Sequence, residues 1–144
     1  MVVISLMGGR RLEKAELESI LEESRIARIC CHNEDGTIHA TPVWYKYMNG
    51  KIVFLTSDRS LKARNVKRNK NVTVLIDLVK PAAKGVMIYG TAELDYSDIH
   101  PTAITICEKY MEKEKATDFA KMLVETAIDL IVTVKPERMI TFHF

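Results

Sequence analysis

Thr37-Ile-His-Ala-Thr-Pro-Val-Trp-Tyr-Lys-Tyr-Met48, then Asn49-Gly50, then Lys51-Ile-Val-Phe-Leu-Thr56 is the stretch on which the fold turns. β-branched and aromatic residues dominate both arms, as strands favour. The Asn-Gly between them suits a two-residue hairpin, because both central positions of that turn need positive φ. Upstream, residues 25–32 read as another strand, closed by the turn signal Asn33-Glu34-Asp35-Gly36. Residues 25–56 are therefore predicted to form a meander of three antiparallel strands.

Working outward, residues 12–23 place Leu17, Ile20 and Leu21 among five glutamates, the pattern of an amphipathic helix. Downstream, a short helix is predicted over residues 60–69 and a strand over 72–78. A loop at 80–85 and a strand at 86–95 follow. Ser97 or Asp98 can cap a helix with Pro101 in its first turn and Ile99, Ala103, Ile106 and Tyr110 on its buried side. A second helix from about Thr117 shows Phe119, Met122, Leu123 and Ala127 at the same spacing. Two closing strands, 130–134 and 139–144, are expected around a Lys135-Pro136 turn. Short strands with helices inserted late favour an α+β, mainly β, fold: a small antiparallel barrel rather than a doubly wound parallel sheet. No repeat, low-complexity tract or linker interrupts the chain, so a single domain over residues 1–144 is expected.

With 144 residues, 47% hydrophobic and 28% charged, the chain has the composition of a globular protein. Its net charge of +2 makes no global case for a polyanion partner. The apolar run Met1-Val-Val-Ile-Ser-Leu-Met7 is far shorter than the roughly 20 residues of a membrane span and lacks the features of an export signal. A short first strand and a cytoplasmic location are the expectations. Cys30 and Cys31 are adjacent in a strand and face opposite ways, while Cys107 falls on the apolar side of a helix, so no disulfide framework is predicted. For the same reason Cys30, Cys31, His32 and His39 are not expected to converge on a metal ion.

The chemistry concentrates in Thr56-Ser-Asp-Arg-Ser-Leu-Lys-Ala-Arg-Asn-Val-Lys-Arg-Asn-Lys70, where no acidic residue occurs from Arg59 onward. If Ser60 caps the helix, Lys62 and Arg64 lie in or just past its first turn. There the helix dipole is already positive and cations cost a few tenths of a kcal/mol. That arrangement suits a bound anion: a phosphate would collect the Ser60 hydroxyl, open N–H groups and the two cations, with Thr56 and Ser57 facing the same crevice. Lys67, Arg68 and Lys70 read as a solvated helix face. A nucleic-acid contact is the remote alternative for this helix, since aromatic residues are absent from it. The opposite wall is assigned to Thr41, Pro42, Val43 and Trp44. Pro42 cannot donate a ladder hydrogen bond, which puts the strand at an edge or interrupts it and leaves backbone groups for the polar rim of a heterocycle.

Residues 36–45, 50–57, 60–66 and 69–75, with Tyr89-Gly-Thr-Ala-Glu93 and Pro136-Glu-Arg-Met-Ile-Thr-Phe142, resemble in order the flavin-binding split-barrel family related to pyridoxamine 5′-phosphate oxidase. The resemblance implies a split β-barrel, a homodimer, and FMN in a groove between two subunits. It places the flavin ring along Thr41, Pro42, Val43 and Trp44. The ribityl and phosphate contacts fall at Leu55, Thr56, Ser57, Ser60 and Lys62, with Arg64 as a helper. The oxidase's arginine at the start of the flavin strand is His39 or Ala40 here, and its glutamine corresponds to Gly85, so vitamin B6 oxidation is not implied. The implied activity is a flavin-dependent oxidoreduction of a small molecule. A non-catalytic flavin module and a deazaflavin-dependent reductase are the alternatives. No catalytic acid or base is assigned; His39 and His143 are the histidines considered.

Overall fold

The computed structural model describes residues 2–5, 12–80 and 82–143. In chain order the elements are β1 (Val2–Ser5), α1 (Lys14–Glu23), β2 (Ala27–His32), β3 (Ile38–Val43), β4 (Lys46–Met48) and β5 (Lys51–Thr56), then α2 (Leu61–Arg68) and β6 (Asn71–Leu78). They continue through β7 (Lys84–Asp95), α3 (His100–Glu108), α4 (Lys113–Thr126) and β8 (Leu130–His143). The strands follow one antiparallel path, β3-β2-β6-β7-β8-β5-β4, with β1 added in parallel against β8. The sheet curls into a split barrel flanked by helices, the mainly β, α+β class expected.

Both predicted hairpins form. Asn49 (φ 53°) and Gly50 (φ 73°) take the two left-handed positions between β4 and β5. The predicted single strand over 37–48, however, is two strands. Trp44 and Tyr45 separate β3 from β4, and these are the two ends of the sheet path. The chain thus crosses the split of the barrel at Trp44-Tyr45, and the expected three-strand meander is two hairpins on opposite edges.

The expected turn at Lys135-Pro136 is also absent, because β8 runs straight through it. Its first half pairs β5 up to Val134, and its second half pairs β1 from Arg138. Pro136 sits in the gap between those partners, where no ladder bond calls for its missing N–H. On the other side, the register with β7 shifts between Tyr89 and Gly90, a bulge that brings Gly90 opposite Pro136. A Cβ on Gly90 would fall on the Lys135 carbonyl oxygen, so only glycine fits that approach. The second late helix starts at Lys113 rather than near Thr117.

Two apolar clusters hold the molecule. Inside the barrel lie Ile20, Leu21, Ile29, Ile52, Phe54, Ile76, Ile88 and Met139. Outside it, Val53 and Ile131 pack under Ile99, Ala103, Ile106, Ala116 and Ala120 of the α3–α4 hairpin. Ile52 and Phe54 therefore point into the barrel and Val53 points to the helices, which explains why Ile52-Val-Phe-Leu55 is apolar throughout instead of alternating. Each such buried side chain contributes about 1.5–3 kcal/mol.

Candidate functional site

β5 ends at Thr56, and the chain turns back at once: the Ser60 N–H donates to the Ser57 carbonyl at 2.9 Å. Ser60 then caps α2, its Oγ accepting from the Ala63 N–H at 3.2 Å. The Thr56 hydroxyl, almost fully buried, donates to Ser60 Oγ at 2.9 Å. Lys62 Nζ reaches the same Thr56 oxygen at 3.4 Å. No carboxylate among the described residues pairs with this half-buried ammonium, and burial pushes its pKa below the ordinary lysine value. A threonine hydroxyl is a weak partner for a desolvated cation, so Lys62 has unused capacity for an anion. Ser57 Oγ is engaged locally, accepting from the Arg59 N–H at 3.1 Å.

Lys62 lines a groove of about 370 Å³, within the usual range for small-molecule sites. One wall is Pro42, Val43 and Trp44, the floor is Leu55, and the far wall comes from Ile106, Cys107, Phe119, Leu123 and Ile128. Five of the residues expected to bind a cofactor, Pro42, Val43, Trp44, Leu55 and Lys62, thus share one cavity; Thr56 joins it through its bond to Lys62, and Ser60 through its bond to Thr56. Arg64 does not line it. Two positions along a helix is over half a turn, and Arg64 instead lines a separate cavity with Asn33, Glu34, Asp35 and Arg68. Thr41 is half-buried in the β2–β3 ladder opposite Ile29.

The basic run has other engagements. Lys67 pairs with Asp58, whose carboxylate also accepts from the Tyr96 hydroxyl at 2.7 Å. Arg68 donates to the His32 carbonyl at 3.0 Å and to Asn65 Oδ1 at 2.8 Å. Among the described residues, Lys62 is the one cation on the groove's lining.

The groove's other end is aromatic. Trp44 stacks on Tyr110 with centroids 4.3 Å apart and planes 9° apart, and Phe119 lies 5.7 Å from Trp44. The Tyr110 hydroxyl accepts from the Tyr45 N–H at 3.0 Å and donates to the Arg25 carbonyl at 2.8 Å. Burial holds this phenol above its ordinary pKa, so it stays protonated and keeps its bond to the Arg25 carbonyl. Tyr45 is fully buried and donates to the Leu21 carbonyl at 2.6 Å. Lys109 Nζ sits 3.6 Å from the Tyr45 ring centroid, and burial draws its pKa down to about 8. The α3–α4 contribution to the groove was not assigned from sequence, although the apolar spacing had marked Ile106, Tyr110, Phe119 and Leu123 as buried helix faces.

A family model described as pyridoxamine 5′-phosphate oxidase matches residues 13–135, and the chain belongs to that family. Among solved structures it is similar to a conserved hypothetical protein from Mycobacterium tuberculosis, with a TM-score of 0.81 and 21% identity over 95% of this chain and 88% of that one. It is also similar to an F420 reductase, with a TM-score of 0.69 and 18% identity over 89% of this chain and 97% of that one. A FAD-binding protein from Mesorhizobium loti gives a TM-score of 0.62 and 18% identity, covering 89% of this chain and 90% of that one. No curated protein matches. At these identities the likenesses establish the shared fold.

Proposed function

We propose that this protein binds FMN in the Trp44–Lys62 groove and is a flavin-dependent oxidoreductase acting on a small molecule. The observation that carries this is the half-buried Lys62, without a carboxylate partner among the described residues, at the polar end of an apolar cleft. A ligand suited to such a cleft has a flat, mostly apolar body and an anion at one end. FMN has that form, and family membership and the flavin-type cofactors named for two structural relatives point the same way. Lys62, Thr56 and Ser60 hold the phosphate, Leu55 and Val43 exclude water from the ring, and Trp44 covers its edge. Bound flavin would supply the electron transfer, while the chain orients it and shields it. None of the described residues lining the groove is a histidine or carboxylate. His39 pairs with Cys31 in the β2–β3 ladder, and His143 with Lys84 at the end of β7–β8. The reading includes a homodimer with its second subunit on the open side of the groove, where that subunit, substrate or solvent can supply a proton.

The test is the visible spectrum of the purified protein and an FMN titration monitored by flavin fluorescence. Yellow protein that releases FMN on denaturation supports the proposal; a chain that takes up no FMN at any concentration overturns it. Bleaching of the bound flavin by NAD(P)H separates an oxidoreductase from a non-catalytic module. A deazaflavin is the second reading, favoured by the likeness to the F420 reductase. Parallel titrations with the two cofactors decide between them.

A further inference from the structure

Behind the aromatic end of the groove, stacked on Trp44 but not itself on the lining, stands Tyr110. Tyr110 follows α3 and stands where the two ends of the sheet path, β3 and β4, face each other without a ladder. Strand β3 ends at Val43 and β4 starts at Lys46, so the backbone of Trp44 and Tyr45 passes from one sheet edge to the other. A buried N–H left unpaired there would cost about 1–3 kcal/mol. Tyr110 Oη supplies the partner, accepting from Tyr45 N at 3.0 Å with the Tyr45 carbonyl 3.3 Å away. The same side chain lays its ring parallel to Trp44 at 4.3 Å. The ring is held in turn: Arg25 lies 4.9 Å from its centroid and donates to the Lys109 carbonyl at 3.1 Å and the Tyr110 carbonyl at 3.4 Å.

Trp44 is the residue this arrangement controls. It is 38% exposed and lies on the groove wall, in a segment with no strand partner. Without a stacking partner a tryptophan in a non-ladder segment would sample several rotamers. The ring that fixes it comes from 66 positions further along the same chain.

We propose that Tyr110 is the positioning residue of the groove, its ring setting the Trp44 indole as a rigid wall for a planar aromatic ligand while its hydroxyl secures the barrel crossing. The inference rests on the flavin reading above and assigns the ring end of that site. The two functions of the side chain separate by substitution. Tyr110→Phe keeps the ring and loses the hydroxyl, so it lowers thermal stability but leaves flavin affinity within about threefold of the parent. Tyr110→Leu removes the stack and weakens FMN and riboflavin alike by about tenfold, since the loss is at the ring and not at the phosphate.

An independent readout needs no flavin. Trp44 is the sole tryptophan, so its emission reports the stack directly. Acrylamide quenching of the ligand-free protein should rise in Tyr110→Leu and stay at the parent level in Tyr110→Phe. Equal losses of flavin affinity in the two variants, or unchanged flavin affinity in Tyr110→Leu, overturns the inference. If Tyr110→Leu fails to fold, Trp44→Leu must show the same parallel loss for both flavins, and unaltered affinity there overturns it as well. A parent protein that binds neither flavin removes the reading beneath; binding indifferent to Tyr110 removes this inference alone.

Discussion

The two ends of the groove are built in opposite ways. At the polar end, Thr56, Ser60 and Lys62 lie within seven residues and meet through one turn and one helix cap. At the aromatic end, Trp44 and Tyr45 meet Tyr110 across more than sixty residues, and Tyr45 meets Leu21 across 24. The polar end carries a charge that the fold tolerates without fully satisfying. In the aromatic end the Tyr45 N–H and both tyrosine hydroxyls are paired. One end leaves a cation without a strong partner and the other is hydrogen-bonded, and substitutions should separate them accordingly.

The sharpest break comes at Lys62. Lys62→Ala should weaken FMN binding by about 10- to 100-fold, the worth of a charged hydrogen bond, whereas Arg64→Ala, facing another cavity, should change it less than twofold. Titration of both single variants checks this, and equal losses would return Arg64 to the phosphate site. Because burial holds the Lys62 pKa below the ordinary value, FMN affinity should also decline with rising pH earlier than an exposed lysine would allow. Thermal stability of Lys62→Ala should hold or rise slightly, as a desolvated charge is removed.

Tyr45→Phe is the converse. It should leave the phosphate end intact and cost about 1–2 kcal/mol, a Tm fall of roughly 3–6 °C, by removing the hydroxyl that serves the Leu21 carbonyl.

Lys109 gives a smaller, pH-dependent effect at the same end. Its pKa is about 8 in the folded chain against 10.5 in its ordinary state, so between those values the unfolded chain holds more protons and stability rises with pH. Solvent exposure limits the gain to at most about 1 kcal/mol. Denaturant melts at pH 7.5 and 9.5 should show a smaller rise in Lys109→Met than in the parent; an identical rise would assign it elsewhere. The smallest effect is expected at the exposed Asp58–Lys67 pair, where Asp58→Asn should leave the melting curve unchanged at physiological salt.

The part of the site that could be read in advance follows this division. The cap at Ser60 and the cation in the first turn depend on residues a few positions apart, so their spacing is informative. The same spacing did not show that Arg64 lines a different cavity from Lys62, because a count of charges ignores the 100° that each helical residue turns. Pro136 misled for a related reason: a proline between strands signals a turn, but here it occupies the gap between the start of β5 and the start of β1, which no local pattern encodes. The far wall of the groove was present in sequence only as apolar helix faces, with nothing to say which sheet face they cover.

By itself, the amino-acid sequence determined the α+β class, both hairpins, the α2 cap and the cationic start of that helix, because each rests on φ preferences, hydrogen-bond caps and periodicity over a few residues. Only the tertiary structure decided that 37–48 breaks across the barrel split, that β8 is one strand, that Lys62 and Arg64 part company, and that Tyr110 meets Trp44. Those outcomes depend on which distant surfaces bury one another, and burial is a property of the assembled chain.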